Sequence, residues 1–118
     1  THVMADHITI RNAGGTWVVR AGGAVLGESS NALELIEGDY PPVIYFPRDD
    51  IAMAFLDEST NSSHCPYKGD ASYFSIQTKN RTIENAAWSY ENPLPGVEQI
   101  KGYLAFSVVP ELVAVEQL

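Results

Sequence analysis

Cysteine is almost absent from this chain of 118 residues, occurring once, at Cys65. One thiol excludes an internal disulfide and every zinc site built from paired cysteines, and this fits a reducing compartment. Positive charge is also scarce. Seven Lys and Arg stand against fifteen Asp and Glu, a formal charge of −8. Such a surface repels phosphate backbones and anionic lipid, so neither nucleic acid nor a membrane is expected as a partner. No run reaches the roughly 18 to 20 apolar residues needed to span a bilayer, and the first residues lack a basic flank followed by an apolar stretch. A soluble, cytoplasmic protein is the expectation. No G-x-G-x-x-G, Walker loop or G-x-S-x-G occurs, so the familiar dinucleotide, phosphate-loop and serine-hydrolase signals are missing and no cofactor is indicated. Two sequons, at Asn61 and Asn80, read as ordinary turn residues.

What the chain does have is a succession of short β-prone runs. Residues 1–6 are polar without a recurring apolar face and read as a flexible tail, leaving 7–118 as one domain of ordinary size. Thr16 to Arg20 and Ala24 to Glu28 flank Gly22-Gly23, a hairpin signal, because glycine accepts the positive φ of a tight turn. Ala32 to Glu37 alternates with Leu33 and Leu35 on one face, and Val43 to Phe46 is a further strand bounded by Pro47. Pro47, Asp49 and Asp50 then suit a helix entry. With Ile51, Phe55 and Leu56 on one face, they predict a short helix over Arg48 to Leu56. Asp57 to Ser63 reads as a polar loop. Ser72 to Thr78 and Thr82 to Trp88 form a second hairpin across Lys79-Asn80-Arg81, where Asn tolerates left-handed geometry. One helical turn over Val97 to Lys101 and a strand over Tyr103 to Phe106 follow. Turn signals at about 8 to 12 residue intervals predict a mainly β, single-domain antiparallel sandwich or barrel with one or two short helices.

Functional side chains collect in His64-Cys65-Pro66-Tyr67-Lys68-Gly69-Asp70, a turn between strand-like segments. Loops on a rigid scaffold carry most binding and catalytic groups. Cys65 is the one strong nucleophile available, with Lys68 and His64 placed to favour a thiolate and Asp70 to oppose it. A free cysteine also serves as a small buried hydrophobe, and adjacent Cys and His diverge in extended chain. In so acidic a protein, Arg48 and Lys68 form a candidate anion site, Arg bidentate and Lys as a point charge; surface ion pairing would account for them equally. Gly69 lets backbone approach a ligand closely, or simply makes the turn. Glu84-Asn85-Ala86-Ala87-Trp88-Ser89-Tyr90 offers an amide, a carboxylate and two aromatics of the kind that wall a pocket, although alternation sends Glu84 and Trp88 to one face and Asn85 to the other. His64, Cys65 and a carboxylate lack any metal-ligand spacing, so no metal site is expected.

Three motifs, Tyr45-Phe46-Pro47-Arg48-Asp49-Asp50-Ile51, Cys65-Pro66-Tyr67-Lys68-Gly69-Asp70-Ala71-Ser72-Tyr73 and Glu84-Asn85-Ala86-Ala87-Trp88-Ser89-Tyr90, come in this order. Together they make the chain resemble the bacterial and fungal family called domain of unknown function 427, over about Trp17 to Phe106. The resemblance implies a single, mainly antiparallel β domain. Its site would lie at the motif positions Arg48, Cys65, Tyr67, Lys68, Gly69, Glu84, Asn85 and Trp88. Some domain collections label such relatives nucleotidyltransferase-like. This sequence has no Gly-Ser element followed by paired aspartates to hold magnesium, and the adjacent Asp49 and Asp50 diverge. The expectation is a small anionic metabolite bound between the His64 to Asp70 turn and the Glu84 to Trp88 strand. Lys68 and Arg48 would hold its charge, Tyr67 and Trp88 its apolar part, Asn85 its orientation, and Gly69 would allow close backbone approach. Two alternatives remain: an enzyme using Cys65 as nucleophile or redox centre with His64 or Glu84 assisting, and an interaction module that recruits a protein through its acidic surface and a sheet edge.

Overall fold

In a computed structural model, residues 7–118 are described, so the tail expected over 1–6 lies outside them. Ten strands follow in order: β1 (Ile8–Asn12), β2 (Trp17–Ala21), β3 (Ala24–Ser29), β4 (Leu33–Glu37), β5 (Val43–Tyr45), β6 (Leu56–Cys65), β7 (Gly69–Gln77), β8 (Thr82–Ser89), β9 (Ala105–Phe106) and β10 (Val113–Gln117). They pair antiparallel in three sheets, β1-β4-β5, β10-β2-β3 and β6-β7-β8-β9. The fold is mainly β, as the spacing of the turns predicts, and among the described residues no sheet closes into a barrel. Among the described residues, no helix is long and apolar enough to cross a membrane.

The β2-β3 hairpin forms where expected. Gly22 and Gly23 both take positive φ, +57° and +84°, the twist that matches flanking strands in a two-residue turn. A register shift after Val19 brings Gly27 against Ile51 in an isolated antiparallel bridge. A Cβ on Gly27 would overlap the Asp50 carbonyl oxygen and the Ile51 side chain. Gly27→Ala is therefore expected to cost about 1–3 kcal/mol through overpacking against backbone that cannot yield. The check is a lower urea midpoint at unchanged m-value; an unshifted midpoint would mean that the bridge is dispensable.

Three expectations are corrected. Arg48 to Leu56 is not a helix but two 3-10 turns, Arg48–Asp50 and Met53–Phe55, separated by Ile51 in extended conformation (φ −111°, ψ 138°). The Ile51 bridge to Gly27 wins over local propensity, because nine residues are too few to sustain an isolated helix. Phe55, assigned to the apolar face, is 53% exposed, whereas Ile51 and Leu56 are buried. Asp57 to Ser63 is not a loop but most of β6, an edge strand. It is polar because it is exposed along almost its whole length, and its register slips between Glu58 and Ser62. Slips of this kind discourage foreign strands from adding to an edge. Asn80 does not adopt left-handed backbone in the β7-β8 turn, which is closed by Thr78 Oγ1 donating to the Arg81 carbonyl at 2.8 Å; the left-handed asparagine is Asn85 (φ 53°).

The core consists of two clusters on either side of β5 and β9. Phe46, Leu104 and Phe106 belong to one, with Val19, Leu26, Phe74 and Ile76; Tyr45 and Ala105 belong to the other, with Leu35, Tyr90, Val97 and Ile100. Adjacent residues divide between them because extended chain sends successive side chains to opposite faces. The Phe46 N–H donates to the Leu104 carbonyl at 2.8 Å, and the Leu104 N–H returns the bond at 2.9 Å. The second cluster underlies the candidate site.

Candidate functional site

The central motif forms a tight hairpin. Cys65 at the end of β6 pairs with Gly69 at the start of β7, leaving Pro66, Tyr67 and Lys68 as the turn. Gly69 supplies positive φ, +109°, which three-residue hairpins need beside their bulge. The turn is also pinned from outside, where the Leu94 N–H donates to the Lys68 carbonyl at 3.0 Å. Held this way, Lys68 turns inward instead of toward solvent.

Its ammonium donates to Glu37 Oε1 at 2.7 Å, with the two side chains only 12% and 21% exposed. Glu37 closes β4, and its other oxygen lies 3.3 Å from His7 Nε2. Burial alone would push the Glu37 carboxyl up. The hydrogen bond and charge of Lys68, followed by His7, outweigh it and leave Glu37 below the ordinary carboxylate range. Burial likewise works against the charge of Lys68, but Glu37 and Cys65 more than offset it and hold the ammonium above its ordinary value.

The pair faces a cavity of about 270 Å³ walled by Tyr45, Tyr73, Trp88 and Tyr90 over Leu35 and Val43. Trp88 and Tyr73 are register partners on β8 and β7, with ring centroids 6.5 Å apart. The Trp88 indole N–H points to the Tyr45 hydroxyl at 3.3 Å. Burial raises both Tyr45 and Tyr90 well above the ordinary phenol range, so they act as neutral hydrogen-bonding groups. Glu37, Tyr40, Pro41, Val43, Trp88 and Ser107 are shared with an adjoining groove of about 880 Å³, which runs on past Trp17, Ile44 and Phe106.

Of the expected site residues, the structure brings Lys68 and Trp88 to one cavity. Arg48 is elsewhere. Its guanidinium binds both Glu91 oxygens at 3.1 and 2.9 Å, lies 5.7 Å from the Phe74 ring centroid, and borders a separate cavity with Lys101 and Tyr103. Arg48 thus lines a different cavity from Lys68, and Glu91 takes the planar fork that was expected to meet a ligand. Tyr67 packs edge-on against His7, centroids 4.3 Å apart, and lines neither the cavity nor its groove. Asn85 sits on the register shift of β8, where Ser59 Oγ donates to its Oδ1 at 2.6 Å and its own N–H donates to Ser75 Oγ at 3.1 Å. Asn85 and Glu84 are both exposed and border neither space. His64 Nδ1 lies 2.7 Å from Asp70 Oδ1 on the exposed side of the hairpin. Cys65 is half-buried and unpaired with another cysteine.

The residue missed from sequence is Glu37, and a signal for it existed. The alternation that places Leu33 and Leu35 on one face places Glu37 there two residues later, a carboxylate in an inward position. Tyr73, Tyr45 and Tyr90 gave no comparable sign, since aromatic residues in strands are ordinary core. Chemically, the arrangement offers one cation, one carboxylate and several neutral hydroxyls at the foot of an aromatic wall. A search of curated proteins finds no match for this chain. A family model described as Domain of unknown function (DUF427) matches residues 9–117, nearly the whole sequence, and the chain whose Lys68 and Trp88 motifs meet at this cavity thus belongs to that family.

Proposed function

We propose that the chain binds a small molecule in the cavity between the Lys68 turn and the Trp88 strand. The observation that carries this reading is the partly buried Lys68–Glu37 pair exposed to an aromatic-walled space. Ligand pockets are mostly apolar, with a few convergent polar groups that fix orientation, and this cavity has that composition. Lys68 keeps the part of anchor for a negatively charged ligand group. Glu37 neutralises it in the free protein, so any such group must exchange with Glu37 and cannot simply add. Arg48 and Asn85, facing other surroundings, have no part in this reading.

A thermal-shift screen of metabolites tests it. A compound present at 100 times its Kd is expected to stabilise by about 2.7 kcal/mol, a rise of several degrees for a domain of this size. Lys68→Ala should abolish that rise. Stabilisation that survives Lys68→Ala would place the compound elsewhere, and a screen with no stabilising compound would remove the main support for a small-molecule site. The thiol reading draws less from the geometry, because His64 is engaged with Asp70 and Glu84 is exposed.

A further inference from the structure

The cavity offers a cation and a carboxylate already joined, and this restricts what a ligand must carry. An anion that takes Lys68 leaves the Glu37 carboxylate partly buried with His7 as its remaining neighbour. A cation that takes Glu37 leaves the Lys68 ammonium beside Cys65 and the Tyr90 ring, 6.0 Å from the ring centroid. Each exchange leaves one partly buried charge without its partner, the costly way to open such a pair. A ligand bearing both charges avoids this. Its carboxylate takes Lys68, its ammonium takes Glu37, and the pair opens by an exchange of partners in which every charge stays compensated. The overall charge of −8 points the same way, since it penalises the approach of a bare anion far more than that of a neutral zwitterion.

Size fixes the rest of the ligand. About 270 Å³ lies below the usual range for a whole ligand pocket, roughly 300–1,000 Å³, and suits a charged head group. Past Trp88 and Val43 the space continues into the larger groove, whose Trp17, Ile44 and Phe106 are apolar. Resting on the cavity reading above, we infer that the ligand is a zwitterion of the α-amino-acid type with an aromatic or large aliphatic side chain. Its head exchanges partners with the Lys68–Glu37 pair, and its side chain runs along Trp88 into the groove.

The test compares three probes on the unaltered chain by amide and indole NMR titration: L-phenylalanine, phenylpropionate, which lacks the ammonium, and phenethylamine, which lacks the carboxylate. L-phenylalanine is expected to shift the Trp88 indole and Tyr90 amide signals and to bind at least tenfold more tightly than either relative. L-leucine, L-tyrosine and L-tryptophan extend the series. The double variant Lys68→Met/Glu37→Leu, which keeps the cavity apolar, should lose the preference and treat the three probes alike. Phenylpropionate or phenethylamine binding as tightly as L-phenylalanine at these signals would overturn the zwitterion and leave the cavity reading standing. Failure of every amino acid in the series to move the Trp88 and Tyr90 signals would also overturn it, and the metabolite screen then decides separately whether the cavity binds anything.

Discussion

Lys68→Met is expected to lower the unfolding free energy by about 2–4 kcal/mol, and Glu37→Leu by a similar amount, while the two together fall within about 1 kcal/mol of the unaltered protein. The asymmetry comes from burial. With side chains 12% and 21% exposed, each partner is taken largely out of water, and removing one leaves the other without its 2.7 Å contact. Removing both substitutes apolar groups in a wall that is already aromatic and aliphatic. Urea denaturation of the four proteins gives the coupling energy directly. The pH dependence must agree. Glu37 titrates below its ordinary value of 4.5, so its contribution is complete above that pH and is lost as pH falls through the depressed folded value. Lys68 titrates above 10.5, so its contribution is complete below that pH and is lost only as pH rises through the elevated folded value. The double variant should therefore lose less stability than the unaltered chain below pH 4.5 and above pH 10.5. Single-variant costs that simply add in the double would show that the two side chains do not act as a pair. A double variant as stable as the unaltered chain would mean that the fold gains little by keeping the pair, which is what the proposed binding role requires.

Most of the strand pattern was legible because it rests on local rules. The glycine pair at Gly22-Gly23, the alternation through Phe74 and Ile76, and the proline after Phe46 each act within a few residues, and each lies in the structure where these rules put it. What was not legible depends on distant partners. Ile51 turns extended because Gly27, on β3 and 24 residues earlier, pairs with it. Residues 57–63 look like a loop because an edge strand exposed on its flanks has no apolar alternation to show. β10 has little local signal beyond the alternation of Val113 and Val115, for its place beside β2 is a long-range pairing. At the candidate site, the turn containing Lys68 and the strand ending at Trp88 were visible as motifs, whereas the partner of Lys68 was not. Glu37 comes from a strand 31 residues earlier, and no local rule joins them. Arg48 and Lys68 looked alike in sequence as scarce cations, and only their different carboxylates, Glu91 and Glu37, separate them.

Phe46→Ala should be the most damaging single substitution in the core, at about 3–5 kcal/mol, a large share of the 5–15 kcal/mol that stabilises an ordinary domain. Phe46 is fully buried, and its ring meets Phe106 edge to face with centroids 5.9 Å apart. Its backbone holds the paired bonds to Leu104 that carry β5 onto β9. Those bonds survive in the variant, so the loss comes from the cavity left between β5, β9 and the sheet behind them. Phe46→Leu, which keeps most of the volume, should cost less than half as much. Because Tyr45 next door anchors the other cluster, the two clusters share one strand and should unfold together. Tryptophan fluorescence, which reports on Trp17 and Trp88, and far-ultraviolet circular dichroism are thus expected to trace one coincident urea transition in the unaltered protein and in Phe46→Ala. A cost below about 2 kcal/mol would mean that the surrounding side chains collapse into the space. Transitions that separate in Phe46→Ala would mean that the cluster beneath the Lys68–Glu37 pair stands without the other, and that the cavity depends on Tyr45, Tyr90 and Val97 rather than on the junction at Phe46.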